Sequence, residues 1–181
     1  SPYENIINAP SLDFKTVLAV GRLTSQKGFD LLIEAWSLVC QNRQDWILRI
    51  VGDGEDEAML KNLAQELGVA NFIEFLPSTK DVEQYYRSAS LYCMSSRYEC
   101  LPMVLIEAQM YGLPIVSFDC DTGPSDVIEN KKNGFLVKPE SIEELAEKIS
   151  MSINIDNDVY KEISNACKVR SEDFLTVKII N

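Results

Sequence analysis

The sequence predicts a doubly wound α/β fold: a mostly parallel, six-stranded sheet with helices on both faces. Two observations predict it. Short apolar runs alternate regularly with segments of helical period, the signature of successive βαβ units. The runs are also continuous rather than alternating, as in LAV and PIVSF, which suits strands covered on both faces.

The elements follow in order. Residues 16–20 form the first strand, closed by Gly21. Leu32, Ala35, Trp36 and Val39 then fall at i, i+3, i+4 and i+7, one face of a helix, and both Trp36 and Trp46 are expected in the core. The second strand is 46–51, ended by Gly52. Leu60, Leu63, Ala64 and Leu67 repeat the helical spacing, with Gly68 as the stop. A third strand is expected at 72–75, a short helix at 81–87, a fourth strand at 91–94, and a helix at 102–111 followed by Gly112. The fifth and sixth strands are 115–118 and 135–137. Ser141 and Glu144 form a capping box ahead of the stripe Ile142, Leu145, Ala146, Ile149. A last polar helix is expected over 158–170, leading to a frayed end. Residues 1–14 read as an incoming linker and 15–181 as one domain. The start lacks Met and a signal peptide, so an excised piece is expected.

Composition narrows the function. At 181 residues, 46 % hydrophobic and 25 % charged, the chain can bury a real core, which excludes a disordered segment. No apolar run reaches the ~18 residues of a spanning helix. A net charge of −11 argues against wrapping nucleic acid or lying on an anionic membrane, but not against holding one small phosphate. Histidine is absent, so this chain supplies neither a Ser-His-Asp system nor a His-ligated metal. Its five cysteines are odd in number and include no C-x-x-C pair, which reads as reduced thiols of a cytosolic protein.

Sheets of this kind bind ligands at the carboxyl ends of their strands. The first such loop reads GRLTSQKGF. Arg22 and Lys27 at a helix entrance could hold a diphosphate, or could be two solvated charges. Neither a Walker loop nor G-x-G-x-x-G occurs, which disfavours a dinucleotide dehydrogenase. The GDG of Gly52 to Gly54 either lies against a nucleotide or merely turns the chain. The fourth loop reads SSRYECLPMVLIEAQMYG. Pro102 suits a first helical turn, and the free amides of Met103 and Val104 would then point into the cleft for an anion. Glu99 in the loop and Glu107 on the helix are spaced E-x7-E. They could accept hydrogen bonds from vicinal diols of a ribose or hexose, or serve as a dipole partner and a surface charge. In the fifth loop, FDCDTGPSDVI, Ser125 or Asp126 could cap a short helix. Asp119-Cys120-Asp121 matches a D-x-D string but reads as loop polarity, and Cys100 as a space-filling residue lacking an activating base.

Taken together, GRL…QKGFDLLIEAW, VGDGEDEAMLKNLAQELG, FIEFLPSTKDVEQYYRSASLYCMSSRYECLPMVLIEAQMYGLPIVSFDCDTGPSDVI and NGFLVKP resemble the C-terminal half of glycosyltransferase family 4, over residues 17–149. The resemblance implies a Rossmann-like, donor-binding domain of a retaining GT-B enzyme. Arg22 and Lys27 match the pair gripping the donor diphosphate. Glu99 matches the glutamate that touches the transferred sugar, and Glu107 the one that holds the ribose. Leu101, Pro102, Met103 and Val104 match the phosphate-binding helix start, and Leu76, Pro77 and Ser78 the stretch meeting the base; Gly54 is placed with the donor site. Cys100 stands where the family usually has glycine, and Leu76-Pro77-Ser78 replaces a glycine-containing turn. The resemblance further implies a hexose moved from a nucleotide-diphosphate sugar, UDP-linked, to a glycan or lipid-linked acceptor in bacterial polysaccharide biosynthesis. It implies no cofactor and no metal, and a cytoplasmic enzyme, peripheral at the inner membrane face when complete. The acceptor would be met through a missing N-terminal domain, so this chain alone would be inactive. A non-catalytic nucleotide-sugar binding module and a sugar-nucleotide epimerase are the alternatives. A receiver domain would need an acidic cluster where Arg22 stands.

Overall fold

A computed structural model of the chain describes residues 9–180. Six strands form one sheet: β1 (Thr16–Val20), β2 (Ile47–Val51), β3 (Ile73–Leu76), β4 (Leu91–Met94), β5 (Ile115–Phe118) and β6 (Gly134–Val137). They lie in the order β3-β2-β1-β4-β5-β6, and every pair is parallel. The helices are α1 (Phe29–Val39), α2 (Glu57–Glu66), α3 (Glu83–Arg87), α4 (Met103–Met110), α5 (Pro124–Val127), α6 (Ile142–Ile153) and α7 (Asn157–Ile180). Among the described residues no helix is long and apolar enough to cross a membrane.

Both faces of the sheet are covered, which is why its strands are mostly apolar on both; the exception is the edge where Arg49 of β2 pairs with Glu74 of β3 at 2.7 Å. On one side Val17, Ala19, Leu48 and Ile50 meet Trp36 of α1, Leu60 of α2 and Ile149 of α6. On the other, Leu18, Tyr92, Met94 and Ile115 meet Tyr86 of α3 and Leu105 and Ala108 of α4. Trp36 and Trp46 are buried, and the Trp36 indole donates to the carbonyl of Phe72 at 3.1 Å. Each fully buried Leu or Ile in these layers contributes about 2 kcal/mol.

Several boundaries differ from the sequence reading. Phe72 belongs to a 3-10 turn, Ala70–Phe72, because its carbonyl serves Trp36 rather than the sheet. The helix expected at 102 starts at Met103: Pro102 is its N-cap, with ψ 78°, outside the helical range. Neither Ser125 nor Asp126 caps α5; Gly123 does, and Pro124 takes the first helical position. The Ser141 hydroxyl accepts from the Glu144 amide at 3.3 Å, but the Glu144 carboxylate accepts from the Lys138 amide, so the box closes on one side only. α7 runs on to Ile180, well past 170, and its Phe174 packs on the second core. Of the expected linker, 1–8 lie outside the described residues. Ser11 caps a 3-10 turn, Leu12–Phe14, and its carbonyl accepts from the Ser90 hydroxyl at 2.7 Å.

Candidate active site

The strand order reverses between β1 and β4, so the loops after them diverge and open a crevice at the carboxyl edge. The loop after β1 enters α1 through a 3-10 turn, Ser25–Lys27, and Gly28. Gly28 has φ +62°, and a Cβ there would lie 2.0 Å from the Ser95 carbonyl oxygen. Only glycine lets this loop lie so close to the loop after β4. The Ser95 hydroxyl donates to the Lys27 carbonyl at 2.9 Å, and the Arg97 amide donates to the Gln26 carbonyl at 2.8 Å. The Arg97 guanidinium grips both oxygens of Asp30, at 2.9 and 2.7 Å, and the Ser25 carbonyl at 2.6 Å. Burial raises the Asp30 pKa, but the hydrogen bonds and charge of Arg97 outweigh it and hold the carboxyl below its ordinary value.

This junction brings Lys27 and Glu99 together. Lys27 Nζ donates to Glu99 Oε1 at 2.5 Å, and the Ser96 hydroxyl donates to the same oxygen at 2.8 Å. The Glu99 side chain is only 8 % exposed. Its backbone carbonyl is held by the Thr122 hydroxyl, so the fifth loop braces the fourth. Lys27, Glu99 and Val104 border one small cavity of about 10 Å³.

Arg22 lies in a different compartment. It is exposed and makes no ion pair among the described residues. It lines an open cleft of about 540 Å³ with Gly54, Asp53, Ser78, Thr79 and Val82. Val20 lines both spaces and joins them. Gly54 permits this arrangement: a Cβ there would sit 2.3 Å from the Leu23 carbonyl oxygen. The Asp53 carboxylate accepts from the Ser78 amide at 3.2 Å and from its hydroxyl, fastening the loops after β2 and β3 together. Leu76, the last residue of β3, is half-buried against the second core, and Pro77 is exposed; neither lines the cleft.

The start of α4 departs from expectation at one donor. The Met103 amide is not free but donates to the Leu101 carbonyl at 2.9 Å, because the turn at Pro102 folds the chain back on itself. The Val104 amide makes no such bond. Pro102 is buried, and a Cβ on Gly123 would lie 2.4 Å from its ring. Cys100 and Leu101 are exposed at the crevice mouth, Leu101 by 62 %. Glu107, one turn into α4, accepts from the Tyr86 hydroxyl at 3.1 Å. Among the described residues no group of three Cys, Asp or Glu side chains is placed to hold a metal ion.

The carboxyl-edge rule marks the loops that carry Asp53, Thr79 and Arg97, and the GDG reading already includes Asp53, but the sequence assigns no role to Thr79 or Arg97. Val82, just past a marked loop, and Tyr86 on α3 are missed, and nothing in the chain's periodicity signals them.

A six-stranded 3-2-1-4-5-6 parallel sheet, with its functional loops gathered at the switch point, defines a Rossmann-like domain of the GT-B glycosyltransferase type. The chain belongs to the glycosyl transferases group 1 family, which its residues 4–169 match. It is 44 % identical over 169 residues to an uncharacterised glycosyltransferase of Haemophilus influenzae, covering 93 % of this chain and 48 % of that protein. It is 40 % identical to the amylovoran biosynthesis glycosyltransferase AmsD of Erwinia amylovora, covering 87 % of this chain and 44 % of that one. The chain thus spans about half the length of these relatives. Among solved structures, HepE of Anabaena in complex with UDP and glucose superposes with a TM-score of 0.80 at 26 % identity, over 87 % of this chain and 43 % of HepE.

Proposed function

We propose that this chain is the C-terminal, donor-binding half of a retaining hexosyltransferase. It takes a hexose from a nucleoside-diphosphate sugar, UDP-linked, to a glycan or lipid-linked acceptor in surface-polysaccharide biosynthesis. The reaction is cytoplasmic, and an N-terminal half supplies the acceptor, so this chain alone binds donor without transferring sugar. The observation that carries the reading is the arrangement at the switch point. Arg22, with no ion pair among the described residues, lines the open cleft, and Lys27 holds Glu99 in the adjoining small cavity.

The base enters between the apolar walls Val20, Val51 and Val82, near Asp53 and Ser78. The diphosphate lies between Arg22, Lys27 and the Val104 amide at the start of α4. Glu107 accepts from the ribose hydroxyls and Glu99 from the sugar. In the transfer the bond from the anomeric carbon to the diphosphate oxygen breaks, and its electron pair leaves on the diphosphate. The acceptor oxygen forms the new bond on the same face and gives its proton to a diphosphate oxygen. Arg22 and Lys27 neutralise the charge that develops, so the chemistry requires no metal. AmsD bears an amylovoran-biosynthesis name and HepE was captured with UDP and glucose, which supports polysaccharide and UDP over other choices.

Calorimetric titration of the chain with UDP, GDP, ADP and their hexose conjugates tests this. Selective UDP binding, weakened in both Arg22→Ala and Glu107→Ala, is the expected result. A folded chain that binds none of them, or binds them equally in both variants, overturns it.

A further inference from the structure

Glu107 carries one conspicuous dependence. Its carboxylate makes a single hydrogen bond among the described residues, from the Tyr86 hydroxyl to Oε2 at 3.1 Å, and no ion pair. Tyr86 is itself immobilised. It is 1 % exposed and stacks between two further tyrosines. The Tyr92 ring lies 5.9 Å away at 22°, and the Tyr111 ring 5.4 Å away at 8°. The stack reaches the end of β1. The Tyr92 hydroxyl accepts from the Val20 amide and donates to the Val20 carbonyl, both at 3.2 Å. Val20 is the last residue of β1, two positions before Arg22.

We propose that Tyr86 is a positioning residue for donor binding: it fixes the Glu107 carboxylate so that Oε1 faces the ribose diol, and the three-tyrosine stack sets that carboxylate against the end of β1. The inference rests on the reading of Glu107 as the ribose acceptor. A glutamate side chain has three rotatable bonds, and freezing them on binding is unfavourable. A rigid phenol that already holds one oxygen removes much of that penalty before the ligand arrives. Burial, reinforced by Tyr92 and Glu107, pushes the Tyr86 pKa far up, so the phenol remains protonated and acts as a donor. Glu107 therefore accepts through Oε2 and keeps Oε1 for the ligand. The tyrosine ring adds no charge, so the site keeps a net negative carboxylate suited to hydroxyl donors.

The test is calorimetric titration of the chain with UDP and with 2′,3′-dideoxy-UDP, which lacks both hydroxyls. Glu107→Gln is measured first and should weaken UDP but not the dideoxy compound. Equal effects on both ligands overturn the ribose reading itself, whatever Tyr86 does. Tyr86→Phe keeps the ring and the stack. It should bind UDP about 3- to 12-fold more weakly, the cost of immobilising one side chain that the phenol no longer holds, and leave the dideoxy ligand within about twofold. Added to Glu107→Gln, Tyr86→Phe should change UDP binding by less than about twofold, because the interaction it serves is already gone. A merely structural Tyr86 would weaken both ligands in parallel, and that result, or no change in either, overturns the proposal. Thermal melting of each variant is recorded alongside. Should Tyr86→Phe not fold, 3-fluorotyrosine at position 86 keeps the hydroxyl and must retain the preference for UDP over the dideoxy ligand; loss of that preference in a folded protein overturns the proposal.

Discussion

Glu99 and Glu107 lie on one stretch of chain, yet they are held by opposite means. Glu99 sits in a loop, nearly buried, with its charge compensated by Lys27 at 2.5 Å. Its loop is locked by Arg97 to Asp30 and by Thr122 on its own carbonyl. Glu107 sits on a helix, with no ion pair among the described residues, and accepts from a neutral phenol. A buried loop carboxylate is built into the fold, because removing its cation strands a charge away from water. A helical carboxylate near the surface can be changed with little damage, because its backbone is held by α4 whatever the side chain does.

The sharpest way to break this contrast is Lys27→Ala. The stranded Glu99 should lower unfolding free energy by about 2–3 kcal/mol, below the fully buried figure because Lys27 is partly exposed. Urea titration at neutral pH reads the loss. Adding Glu99→Gln should recover most of it, and an unchanged midpoint for the single variant would mean that Glu99 needs no cation.

Next in size is Arg22→Ala, where the effect should fall on binding alone. Arg22 is exposed and unpaired among the described residues, so stability should stay within about 0.5 kcal/mol. UDP affinity should drop about 10- to 100-fold, the worth of one charge-assisted contact. Equal UDP affinity by calorimetry would remove Arg22 from the diphosphate site.

Arg97→Ala probes the lock rather than the ligand and should cost about 1–2 kcal/mol. Its pH profile is more telling than its size. The Asp30 pKa lies below its ordinary 3.8 in the folded chain. Its contribution is therefore fully present above that value and is lost as pH falls through the folded value. Without Arg97 its largest lowering influence is gone, so the Asp30 pKa should move back up toward its ordinary value and the loss of stability on acidification should shrink. Acid-range urea titrations of both proteins check this; an equally steep acid loss in the variant would remove Arg97 as the cause.

The smallest expected effect concerns thiols. Cys100 is exposed beside Glu99, while Cys40, Cys93, Cys120 and Cys167 are buried. Burial pushes Cys40 up to about 11 and Cys167 up to about 12, which suppresses their thiolates. One thiol of five should react rapidly with a disulfide reagent, Cys100→Ser should abolish that phase, and bound donor should slow it. Rapid reaction of a second thiol would show a looser domain than the packing describes.

The sequence by itself determined the strands and most of the helices. Residues 16–20, 91–94 and 115–118 coincide with β1, β4 and β5 because continuous apolar runs suit only strands buried on both faces. It also marked the carboxyl-edge loops, since chain direction alone places them once the sheet is parallel. Only the tertiary structure decided which side chains meet there. Lys27 and Glu99 are separated by 72 positions, and Tyr86 and Glu107 by 21. Period and composition report how a residue relates to its own element, not what a neighbouring loop brings to it. The occupied Met103 amide has the same cause: helix propensity predicts a free first turn, whereas the turn at Pro102, packed against Gly123 of another loop, gives that donor to Leu101. Pairings of this kind arise from the strand order and the close approach of loops at glycine, which depend on the whole sheet assembling.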